Sequence, residues 1–136
     1  MFKKIYNDFI IRKYKTNEIK NLVLLYAISI FLDNKIKDIE IITTNNLLYE
    51  IIEEKYNNEI LPKEKELLAE HYLSIIKKKL IEYQNNDYSF ETDKIKVLNN
   101  LKHNENKINA IKKIIKSDNE IAPKEKKFLQ QIRELL

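Results

Sequence analysis

Apolar residues recur along this chain at three- and four-residue spacings from one end to the other, which is the period of helices packed on a core. Residues 2–14 place Phe2, Ile5, Tyr6, Phe9 and Ile10 on one side of a helix, with Lys and Asp opposite. That stripe predicts a first helix packed inward; a basic amphipathic segment that touches a membrane or a partner is the alternative. Thr16 or Asn17 is placed to cap a second helix running to about Leu32. Its apolar run leaves hardly any polar face, so it is expected to be the buried central helix.

The polar hexad Asp33–Asp38 interrupts the pattern, and a third helix follows with Ile39, Ile42, Leu48, Ile51 and Ile52 inward. Asn57 and Asn58 open a turn before Leu61-Pro62, where Pro suits a first helical position. A fourth helix then reaches about Tyr83, with Leu68, Tyr72, Ile75, Ile76 and Leu80 as its stripe. Residues 84–91 read as a loop, and Thr92 as the cap of a short fifth helix through Leu101. A sixth helix over about 105–116 carries Ile108, Ile111, Ile114 and Ile115. The seventh begins at Pro123 and presents Phe128, Leu129, Ile132 and Leu136.

Composition agrees with this reading. The 136 residues include no Gly and two Pro, so β-hairpins lack their usual turn residues, and an all-α single domain over 1–136 is expected. Residues 1–16 form its basic amphipathic N-terminal helix. The absence of Cys excludes disulfides, thiolate metal sites and thiol catalysis. His71 and His103 share no metal-ligand spacing, and there is no Gly loop for phosphate. These absences argue for a noncatalytic protein.

The net charge is +4, but Lys, Asn, Ile and Tyr abound together, as AT-rich codons would produce. Residues 1–20 carry six basic and two acidic side chains, whereas residues 33–70 carry five basic and ten acidic. No single basic face follows, which argues against nucleic acid as the partner and leaves another protein as the expected one. The run Leu22–Leu32 is too short to span a bilayer, so membrane contact is limited to the periphery through the N-terminal helix. Lys3 and Lys4 are followed by no convincing cleavage site, and a cytoplasmic location is expected.

The sharpest motif is an internal repeat. DNKIKDIE at 33–40 and DNEIAPKE at 118–125 share Asp, Asn, Ile and Glu at the first, second, fourth and eighth places. NNEILPKE at 57–64 looks similar but begins with Asn57. Asn34 and Asn119 suit a left-handed helix cap, and Ile36 and Ile121 can tuck the turn against the core. Glu40 and Glu125 fall near the third helical position, where a carboxylate can bond back to turn N–H groups and meet the helix dipole. Asp33 and Asp118 can accept bonds from the same turn.

This repeat resembles that of TerB-like tellurite-resistance domains, in which Asp-Gly-x-hydrophobic-Ser-x-x-Glu occurs near the start and again near the end of a helical domain of similar length. The resemblance covers about residues 17–136. It implies a seven-helix bundle with two pseudo-repeated helix–turn–helix units, a role in tellurite resistance, related stress responses or phage defence, and an acidic metal site. By position that site would comprise Asp33, Glu40, Asp118 and Glu125, holding a divalent cation (Ca, Mg, Mn or Zn). The chain departs from the pattern in placing Asn34 and Asn119 at the two glycines, and Lys37 and Ala122 at the serines. Turn-capping without a metal, in a helical interaction or assembly module, is the alternative reading of the same residues.

Overall fold

The computed structural model describes residues 2–14, 17–32, 35–100, 105–117 and 123–134. Among them are seven α-helices and no strand: α1 (Phe2–Tyr14), α2 (Asn17–Phe31), α3 (Asp38–Tyr56), α4 (Pro62–Asn85), α5 (Asp87–Asn100), α6 (Glu105–Ile115) and α7 (Pro123–Glu134). A 3₁₀ turn at Asn57–Glu59 joins α3 to α4.

α2 is the axis of the bundle, as its lack of a polar face requires. It packs against α3, α4, α5 and α6, and Ile19, Tyr26, Ala27, Ile28 and Ile30 are fully buried. Ser29, the polar interruption of the run, is buried too. Its hydroxyl donates to the Leu25 carbonyl one turn earlier at 2.9 Å, so no polar group is stranded there. α4, about 36 Å long at 1.5 Å per residue, supplies Leu68, Ala69, Tyr72, Ile76, Leu80 and Tyr83 to the same core. The far end closes on an aromatic cluster, with Phe31, Tyr83 and Phe90 rings 5.2 to 5.7 Å apart in tilted and edge-on pairs.

Three readings of the sequence need correction. Residues 87–91 are not loop but the first turn of α5, and Thr92 lies inside that helix. The cap is Asn86, whose Oδ1 accepts from the Tyr88 and Ser89 N–H groups at 3.1 and 3.4 Å. In α3, Ile39 and Ile42 face outward, and the buried stripe is Glu40, Thr44, Leu47, Leu48 and Ile52. In α1, Phe2, Ile5, Tyr6 and Phe9 are exposed, and the buried residues are Ile10 and Tyr14.

Candidate functional site

The repeated turns define the first candidate. Asp33, Asn34, Asp118 and Asn119 lie outside the described residues, so the structural account rests on the two glutamates. Glu40 is the third residue of α3 and Glu125 the third residue of α7. Both are fully buried. Each heads the apolar stripe of its helix: Glu40 precedes Thr44, Leu47 and Leu48, and Glu125 precedes Phe128 and Ile132. The helical period therefore carries these carboxylates onto the core-facing side, where Ile39 and Ile42 were expected.

The look-alike at 57–64 shows what such a glutamate does. Asn57 takes a positive φ of 48° as the C-cap of α3, and its N–H bonds to the Glu53 carbonyl. Ile60 is buried, Pro62 opens α4, and Glu64 is again the third helical residue, 6% exposed. Its Oε1 accepts from the Leu61 N–H at 3.0 Å and from the Tyr14 hydroxyl at 3.3 Å. This is half a capping box, because Leu61 has no side-chain acceptor to offer in return. Glu64 thus ties the start of α4 to the end of α1. Tyr56 completes the junction: its hydroxyl donates to the Tyr14 carbonyl, and its ring meets that of Tyr14 edge-on at 4.9 Å. Sequence reasoning set Glu64 aside because its motif lacks the leading Asp, although the Pro-Lys-Glu ending shared with 123–125 carried the signal.

The exposed side of α1 is the second candidate. Phe2 is 89% exposed, Ile5 and Phe9 61% each, and Tyr6 49%. At about 100° per residue these four fall within an arc of about 100°. Ile10 and Tyr14, which seat the helix on α4, lie on the neighbouring arc. A large aromatic residue gains by leaving water, so four side chains gathered on one exposed arc form an apolar patch that a binding partner would cover.

The third candidate is a cleft between α2, α3 and α6, with Tyr26 at its base, Glu50 and Glu54 on one wall and Lys107 and Lys113 on the other. The Tyr26 hydroxyl is buried and, among the described residues, has no hydrogen-bond partner. Burial, then the charges of Glu50 and Glu54, push its pKa well above the ordinary phenol range and hold it neutral. Tyr83 is also held neutral, by burial and by its 2.8 Å bond to Asp93, which Lys79 approaches at 3.4 Å. Tyr83 and Asp93 pin α5 to α4; they are structural.

Compared with protein-family models, curated proteins and solved structures, the chain shows no significant match.

Proposed function

We propose that this chain is a noncatalytic, TerB-like helical module that acts by docking through the exposed face of α1. The observation that carries this reading is the exposure of Phe2, Ile5, Tyr6 and Phe9 on one arc of a helix whose other side is seated. The sequence supports the noncatalytic part, having no Cys, two separated His and no Gly loop. The repeated turns support placing it beside the stress-response and defence modules that it resembles, in the cytoplasm. A photocrosslinking amino acid at Phe9, in cells making the full chain, tests the reading. A discrete adduct is expected there and not from the same probe at Ile95, another exposed apolar residue. Equal adducts at both positions, or no adduct to protein or lipid at either, would remove the docking face.

A second reading is favoured by the equivalent burial of Glu40 and Glu125. On this reading Asp33, Glu40, Asp118 and Glu125 hold a divalent cation, as the resemblance implies, and carboxylates gathered from two turns need such a counter-charge. Glu64 supports the simpler account, since the same position serves as a cap in a turn without the leading Asp.

A further inference from the structure

The distribution of charge over the molecule narrows what the α1 face can meet. Residues 1–20 hold Lys3, Lys4, Arg12, Lys13, Lys15 and Lys20 against Asp8 and Glu18, which equals the entire net charge of +4. The remaining residues carry as many acidic as basic side chains. Lys3, Lys4, Arg12 and Lys13 belong to α1 itself, with Asp8 as its one acid. On the helical wheel Lys13 falls within the exposed apolar arc and Arg12 beside it, whereas Asp8 and Lys3 lie about 110° from its centre and Lys4 about 150°. A second copy docked face to face would bring two such basic segments together, which like-charge repulsion opposes. A negatively charged surface satisfies both halves of the pattern.

We propose that α1 is an interfacial helix for an anionic lipid surface, a proposal that rests on the docking reading above and names its partner. Phe2, Ile5 and Phe9 would enter the acyl boundary, Tyr6 would sit at headgroup level, and the long cationic side chains would reach up to lipid phosphates. The shape of the molecule suits this. α1 packs on α4, and its C-terminal end is fastened through Tyr14, Glu64 and Tyr56. The exposed face of the Phe2–Phe9 segment is one that a deformable bilayer covers without needing a complementary groove. Among the described residues no helix is long and apolar enough to cross a membrane, so the attachment is peripheral.

Co-sedimentation of the full chain with lipid vesicles tests the proposal. Phosphatidylcholine vesicles containing about one third phosphatidylglycerol should bind the chain at least about tenfold better than pure phosphatidylcholine, and high salt should reverse most of that gain. F2S/F9S and R12E/K13E should each lower binding by about tenfold or more, while Ile95→Ser leaves it unchanged. All of these positions are exposed, and unchanged melting curves would show that the fold is intact. Equal binding to neutral and anionic vesicles overturns the electrostatic half of the proposal, and no binding to either overturns it altogether. If vesicles fail while sedimentation shows a dimer that F2S/F9S dissociates, the face belongs to a second copy. If vesicles fail while the Phe9 probe gives a protein adduct, docking stands and its partner is a protein. Failure of both vesicles and probe removes the docking reading itself.

Discussion

Two buried tyrosines show how one chemical group has opposite consequences in two settings. Tyr83 donates to Asp93, a carboxylate only 9% exposed, whereas the Tyr26 hydroxyl is buried among the described residues without a partner. Tyr83→Phe should therefore cost about 1–2 kcal/mol in urea unfolding, and Tyr26→Phe should be neutral or stabilising. A comparable loss at Tyr26 would mean that its hydroxyl is bonded after all. Both phenols have folded pKa values raised above the ordinary value near 10. Their contribution to stability is thus complete below about pH 10 and is lost as pH rises beyond it, because the unfolded chain ionises first. Either Phe variant should lose stability less steeply above about pH 10 than the parent, as followed by circular dichroism. Glu64 belongs to this scale too. Glu64→Ala removes an acceptor of two hydrogen bonds and should cost about 2 kcal/mol, with Glu64→Gln recovering part of it. A loss below about 0.5 kcal/mol would show that water replaces the carboxylate there.

At the scale of the helix, the apolar period made the number of helices and most of their stripes legible. α2 could be read as central from its missing polar face, and the stripes of α4 and α6 follow the expected residues, as do Phe128, Leu129 and Ile132 of α7, Leu136 lying outside the described residues. What the period does not encode is which part of a wide apolar surface a neighbour will cover. In α1 the apolar side chains spread over about two thirds of the helix circumference, and α4 covers the Ile10 and Tyr14 part of it. In α3 the buried stripe starts from Glu40 at the third position, which leaves Ile39 and Ile42 outward and brings Thr44 into the core. Thr44 then bonds to the Glu40 carbonyl at 2.8 Å, which makes its burial tolerable. The start of α5 was hidden because QNNDYSFE is rich in turn formers, yet one of them, Asn86, is the cap itself. Asn86→Ala should cost about 1 kcal/mol and Asn86→Ser much less. An Ala variant as stable as the parent would indicate that α5 is held without its cap, by buried Phe90 and Val97 and by the Tyr83–Asp93 bond.

For the whole molecule, the remaining question is whether the two repeated turns act together. α6 packs against both α3 and α7, so the helices headed by Glu40 and Glu125 share a neighbour. The capping account asks nothing more of them, because each carboxylate serves the start of its own helix. The cation account asks that both turns supply ligands to one ion, and it makes a thermodynamic demand that capping does not. An ion bound by the folded chain alone must stabilise it, by about 2.7 kcal/mol at a hundredfold excess over its dissociation constant. Melting the full chain with Ca²⁺, Mg²⁺, Mn²⁺ or Zn²⁺ should then raise the midpoint for at least one of them. Asp33→Asn combined with Asp118→Asn should abolish that rise while leaving helicity intact, because both glutamates remain to cap. A rise that survives the double substitution would place the ion elsewhere. No rise with any of the four ions would leave Glu40 and Glu125 in the role that Glu64 shows, carboxylates that close a turn and head a buried stripe.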